Sequence, residues 1–212
     1  MKRLETKHID LWPDDVILGE AEINAAGSLD ILTEDERKEY ESFSSNNRKA
    51  EYVTARRLFR HLLNDLNISS DQVDLVKEEL GKPYARHGKE LIYLSFTHST
   101  SKVYCALSVS KNIGLDVEHV DRQINEAVVH RILNEQERES LAAEKPVKLW
   151  TIKEAAVKCL GTGLRTNLNE LTIIKNQKNR FSVRFNNDKL FEICSFRVTN
   201  HQIALAYQSK HI

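Results

Sequence analysis

From residue 46 to residue 66, Ala55, Leu58, Phe59, Leu62, Leu63 and Leu66 recur at helical spacing, and this most constrains the fold. The pattern predicts one long helix with an apolar side that must be covered. Extended segments at 73–79, 91–97 and 103–109 follow it, with Gly81-Lys82-Pro83-Tyr84 as an intervening turn. The rest of the chain reuses that plan. A strand is expected at 113–118, helices at 124–133, 134–143 and 146–160, and strands at 171–175, 181–185, 190–199 and 202–207, separated by turns such as Asn186-Asn187-Asp188. Helix followed by its own sheet, twice, predicts an α+β fold of two pseudo-symmetric halves, residues 1–110 and 111–212, with the ligand site in the cleft between them. Ahead of the long helix, a first strand is expected at 7–12, and Thr33-Glu34-Asp35-Glu36 has the capping-box pattern of a helix start.

The 212 residues are enough to bury a good core. Lys and Arg number 31 against 31 Asp and Glu, so no overall field draws the chain to nucleic acid or a membrane, and any basic site has to be local. The densest basic element is the long helix, with Arg48, Arg56, Arg57 and Arg60; the last two are expected on a solvated face. Met1 to Lys7 lacks the apolar core of a secretory signal, and no apolar run is long enough to cross a bilayer, so the cytoplasm is the expected address. Cys105, Cys159 and Cys194 are far apart and lack CxxC spacing, which predicts buried thiols rather than disulfides or a zinc site.

Two short segments carry the chemistry. In Gly114-Leu115-Asp116-Val117-Glu118, the two acids stand two apart, so on a strand they face the same way, an arrangement that suits a hard cation. In 146–160, placing residues at about 100° intervals puts Leu149, Ile152, Ala156, Cys159 and Leu160 on one arc and Glu154 and Lys158 on the opposite one. Lys153 falls at the edge of the apolar arc, where it must snorkel or find an anionic partner. Gly161 fits a left-handed helix cap, and Gly163 is expected to allow a close backbone approach. Trp150 is expected to anchor the helix by packing.

The blocks Gly81-Lys82-Pro83, Phe96-Thr97-His98-Ser99, Gly114-Leu115-Asp116-Val117-Glu118, and Trp150-Thr151-Ile152-Lys153-Glu154 through Lys158-Cys159-Leu160-Gly161-Thr162-Gly163-Leu164 occur in one order. In this the chain resembles the 4'-phosphopantetheinyl transferases of the long, pseudo-dimeric type, from about Leu32 to Tyr207. The resemblance implies magnesium-dependent transfer of 4'-phosphopantetheine from coenzyme A to a serine of an apo acyl or peptidyl carrier protein, releasing 3',5'-ADP. It also implies a monomer, since one chain holds both halves. Asp116, Glu118 and Glu154 would bind Mg2+, in the all-oxygen shell that ion prefers, and Lys158 would balance charge on the diphosphate. Glu154, directly or through water, or else Glu118, would take the serine proton.

By the same resemblance Arg48, Arg56, Lys82, Thr97 and His98 would hold coenzyme A around its 3'-phosphate and adenine, with Lys77 helping. Two departures from the family's pattern stand out: Ser95-Phe96-Thr97-His98-Ser99 replaces the usual Asn-x-Ser-His-Ser, and Glu39 takes a position that is often basic. A basic and apolar surface near the helix at 124–133, with Arg131, is the expected carrier face. Two other readings share the fold: a noncatalytic carrier-protein or nucleotide-binding module, and a magnesium-dependent phosphodiesterase in which water attacks.

Overall fold

A computed structural model describes residues 1–10, 12–24, 28–186 and 188–209. The first part of the chain forms β1 (Lys2–Arg3), β2 (Val16–Glu22), α1 (Glu34–Ser42), α2 (Asn46–Asp65), β3 (Val73–Lys77), β4 (Pro83–His87), β5 (Glu90–Ser99) and β6 (Lys102–Ser108). The second forms β7 (Lys111–His119), α3 (Glu126–Ile132), α4 (Glu135–Ser140), α5 (Pro146–Leu160), β8 (Leu171–Gln177), β9 (Arg180–Phe185), β10 (Lys189–Val198) and β11 (His201–Ser209). Among the described residues the strands make two antiparallel sheets, ordered β1-β2-β6-β5-β4-β3 and β7-β11-β10-β9-β8. Apart from β1 the two orders are the same. In each, a leading strand is followed by helices and then by four strands, the last of which pairs back onto the leading one. The fold is therefore α+β with two pseudo-symmetric halves.

Packing explains why each unit needs its long helix. Leu58, Phe59 and Leu62 of α2 cover Ile17, Leu94 and Leu107 of the first sheet, while Leu149, Ile152 and Ala156 of α5 cover Ile173, Val183 and Ile193 of the second. A third core lies between the sheets, where Leu18, Tyr104, Ile113, Leu115, Val117 and Leu205 meet. Burial of each such aliphatic side chain stabilises by about 1.5–3 kcal/mol, so this shared layer holds the two sheets together. The expected capping box is present: Thr33 Oγ1 accepts from the Glu36 N–H at 3.3 Å, and Glu36 Oε2 from the Thr33 N–H at 3.0 Å.

Three expectations are corrected. Residues 7–10 form turns rather than a strand, and Leu11 lies outside the described residues; the first long strand is β2. Its sequence escapes a period-two reading because six of its seven residues are buried, with α2 on one side and the shared core on the other. Pro83 and Tyr84 do not end a turn but begin β4, an additional strand pairing with β3 and β5. Gly163 has a left-handed φ of 56°, yet a Cβ there would meet nothing within 4 Å, so it serves conformation and not close approach. In the turn after β9, Asn187 lies outside the described residues. Among the described residues, no helix is long and apolar enough to cross a membrane.

Candidate active site

The close approach belongs to Gly114. A Cβ on this residue would fall 2.2 Å from the Ala155 carbonyl oxygen and 2.2 Å from the Cys159 nitrogen, so only glycine lets α5 lie directly on β7. Alternation along β7 then sends Ile113, Leu115 and Val117 into the shared core. Asp116 and Glu118 take the other face, the one Gly114 presents to α5. On α5, Leu149, Ile152, Ala156 and Cys159 are buried, and Leu160 is half-buried against the same core. Glu154 and Lys158 are half-buried on the opposite side. Gly161, at φ 84°, ends the helix as a left-handed cap.

Strand β5 supplies the third wall. Its Ser95 Oγ accepts from the Leu115 N–H at 2.9 Å, and Thr97 Oγ1 donates to Asp116 Oδ1 at 3.3 Å. Lys158 Nζ donates to the same oxygen at 2.6 Å. The other oxygen, Asp116 Oδ2, is buried without a hydrogen-bond partner among the described residues. Such an atom in a charged side chain only 5% exposed is costly unless something binds it. Glu118 is tied to Arg122, whose guanidinium lies 5.0 Å from the centroid of the Trp150 ring. Burial and the neighbouring Asp116 charge raise the pKa of Glu154, partly offset by Lys158 and Arg122.

Thr97, Asp116, Glu118 and Lys158 open on a cleft of about 470 Å³, and Glu154 is not among its lining residues. Asp116, Glu118 and Lys158 line one part of it; Arg48, Tyr52 and Arg56 of α2, Glu39 of α1, Lys77 of β3, and Phe96, Thr97 and His98 of β5 line the rest. Arg56 is sandwiched, 4.2 Å from the Tyr52 ring centroid and 5.2 Å from that of Phe96. Its Nε lies 2.9 Å from Glu36 Oε1, a charge contact without hydrogen-bond alignment, and its Nη2 lies 3.9 Å from Glu39. Arg48 pairs with Glu51 at 3.2 Å, and His98 Nε2 lies 3.7 Å from the same carboxylate.

Other basic residues are spent elsewhere. Lys82 turns away from the cleft: its Nζ donates to the Cys159 carbonyl at 2.6 Å and to Asn112 Oδ1, capping the end of α5. Burial pulls its pKa down. Arg60 is not solvated but bonds Glu36 Oε2 at 2.6 Å, and Arg57 donates to the Ser28 carbonyl at 2.9 Å. Lys153 does not snorkel. It is fully buried, donating to Glu137 at 2.9 Å and to the carbonyls of Ile132, Leu168 and Leu171. Trp150 packs against the core, as expected, and also carries Arg122. The residues that sequence reasoning missed are Arg122, Glu51, Tyr52 and Phe96. Only the aromatic pair left a trace, as large side chains beside Arg56 and His98.

Among the described residues, no three His, Cys, Asp or Glu side chains converge in metal-holding geometry. Bare carboxylates repel, and here Lys158 draws Asp116 one way while Arg122 draws Glu118 another. The donor set still suits a hard divalent ion: oxygen-only carboxylates, one with an orphaned buried oxygen, and a lysine already neutralising part of the charge.

Comparison with known proteins bears on the same region. Residues 112–207, which include β7 and α5, match the model of the 4'-phosphopantetheinyl transferase superfamily. A 4'-phosphopantetheinyl transferase of Aneurinibacillus migulanus is 31% identical over 125 residues, 56% of this chain and 51% of the relative. Another from Nostoc sp. is 26% identical over 181 residues, 80% of this chain and 75% of the relative. A holo-[acyl-carrier-protein] synthase of Staphylococcus carnosus is 29% identical over 76 residues, 32% of this chain and 65% of the relative. The chain spans about half the length of the first of these relatives. The repeated fold, the glycine that seats α5 on β7, and the acids and lysine beside this contact accord with that likeness: over residues 112–207 the chain is similar to the 4'-phosphopantetheinyl transferase superfamily.

Proposed function

We propose that the cleft binds coenzyme A and transfers its 4'-phosphopantetheine to a serine of an apo acyl or peptidyl carrier protein. The observation that carries this reading is the Asp116 carboxylate, nearly buried, with Lys158 on one oxygen and, among the described residues, no donor on the other. In the reaction the serine oxygen forms a bond to the phosphorus next to pantetheine. The bond from that phosphorus to the bridging oxygen breaks, 3',5'-ADP leaves with the electron pair, and the serine proton passes to a base.

Asp116, Glu118 and Glu154 would hold Mg2+, which when bound supplies charge neutralisation at the diphosphate. Lys158 balances charge that develops on the leaving group, in a site where partial burial strengthens the effect. Glu154 is the first candidate for the base, directly or through water, because burial and Asp116 already raise its affinity for a proton; Glu118 is the second. Arg48, Arg56, Thr97 and His98, with Lys77, hold the nucleotide end, and Lys82 supports the site from behind by fixing the end of α5. The protein works as a cytoplasmic monomer, and the exposed face of α3 with Arg131 receives the acidic carrier.

The test is incubation with coenzyme A, Mg2+ and apo carrier proteins, followed by intact mass. A phosphopantetheine addition supports the transferase. No addition to any of several carriers refutes it, and hydrolysis of coenzyme A without a carrier points instead to a phosphodiesterase.

A further inference from the structure

The cations lining the cleft away from Asp116 are already engaged by carboxylates of the protein itself. Lys77 donates to Glu39 Oε1, Tyr52 Oη donates to Glu39 Oε2 at 3.0 Å, and the Arg56 guanidinium lies 3.9 Å from that same oxygen. Glu39 is therefore an anion lodged among the groups that would receive an anion. Although burial opposes it, Lys77, Tyr52 and Arg56 hold its pKa below the usual range, so it is charged at neutral pH. Arg56, Arg60 and Lys77 against Glu36 and Glu39 leave this cluster one net positive charge. A phosphate monoester brings about −1.5 to −2, more than that surplus balances.

We infer that Glu39 is a specificity-determining residue: it competes with the terminal phosphate of the nucleotide for Lys77 and Arg56, and so weakens discrimination between donors that carry a 3'-phosphate and donors that do not. The inference rests on the transferase reading. With the reacting diphosphate at Asp116, Glu118 and Lys158, the other phosphate of coenzyme A must meet the cations at the opposite end of the cleft. Glu39 is one-third exposed there, its carboxylate paired directly with Lys77 at the cleft wall. A ligand phosphate gains Lys77 only by displacing it, whereas a 3'-hydroxyl makes no such demand.

The test compares wild type with Glu39→Gln, which keeps an acceptor for Tyr52 and removes the charge. Calorimetry with adenosine 3',5'-bisphosphate and with AMP reads the effect without turnover. The wild type is expected to prefer the bisphosphate by less than about tenfold. In Glu39→Gln the bisphosphate is expected to bind about tenfold more tightly, with AMP unchanged within about twofold. KM for coenzyme A should fall in parallel while KM for 3'-dephospho-coenzyme A stays put. Equal changes for both nucleotides, or none for either, overturn the role of Glu39. If wild type still modifies a carrier, that failure leaves the transferase reading intact. Absence of transfer from either donor overturns the transferase reading and this inference with it. Should Glu39→Gln melt well below wild type, Glu39→Asp, which keeps the charge but shortens its reach to Lys77, is expected to shift the bisphosphate preference in the same direction; an unchanged preference overturns the inference.

Discussion

Two lysines on α5, Lys153 and Lys158, each meet a buried carboxylate, and the pairs are built for different ends. Lys153 and Glu137 are sealed, at 0% and 1% side-chain exposure. Three backbone carbonyls complete the ammonium's shell, and Glu137 also accepts from the Asn134 and Ile173 N–H groups. Every polar atom there has a partner, so the cluster rivets α5 to α4 and β8. The Lys158 side chain is 31% exposed, and its partner Asp116 keeps one buried oxygen without a donor among the described residues. A saturated pair stabilises an arrangement, whereas an unsaturated one at the edge of a cleft is available to a ligand.

Substitutions can break this contrast. Asp116→Ala is expected to bring carrier modification below detection while the protein melts within a few degrees of wild type, since the side chain lost was incompletely bonded. Near-normal turnover would remove Asp116 from the site. Lys153→Met should act in reverse, costing about 3–5 kcal/mol of unfolding free energy by stranding the Glu137 charge. Adding Glu137→Met should recover much of that in denaturant melts, because the stranded charge goes with it. No recovery would mean that the carbonyl contacts, not the charge pair, dominate.

A third lysine–acid pair sharpens the comparison by pH. Asp15 lies beside the connection from β6 to β7. Burial works against its carboxylate, but hydrogen bonds from Lys111, Ser108 and Ser110 overcome that and lower its pKa from 3.8 to about 2. A depressed carboxylate pKa contributes stability that is fully present above the unfolded value and is lost as pH falls through the folded one. About 2 kcal/mol of stability should therefore disappear between about pH 4 and pH 2, and Asp15→Asn should flatten that part of the profile.

The smallest effect concerns Arg56, whose alanine variant should raise the coenzyme A requirement about tenfold with a lesser change in kcat, since it acts far from the reacting phosphorus. Because Arg56 is buried against Glu36, the variant should also melt lower than wild type. An unchanged KM would confine Arg56 to a structural role.

Much of this was legible along the chain. Helical spacing located α2 and α5 almost to the residue, and the opposition of Glu154 and Lys158 to the apolar arc holds in three dimensions. The capping box at Thr33 is local chemistry, legible from four consecutive residues. Elements buried on both sides were harder. β2 shows no alternation because it has no solvent face, and β4 begins on a proline that reads as a turn. The fates of Lys82, Lys153 and Arg60 depend on partners 77, 16 and 24 residues away, beyond any local pattern.

By itself the sequence determined the repeated helix-and-sheet plan, the shared face of Asp116 and Glu118, and the two faces of α5, because periodicity is a property of neighbouring residues. Only the tertiary structure decided which charges are spent and which remain available. Lys153 is consumed inside the core, Lys82 at a helix end, and Glu39 among the cations of the cleft. The worth of a charge depends on its distance to other charges and its access to water, and both are set by how distant segments pack.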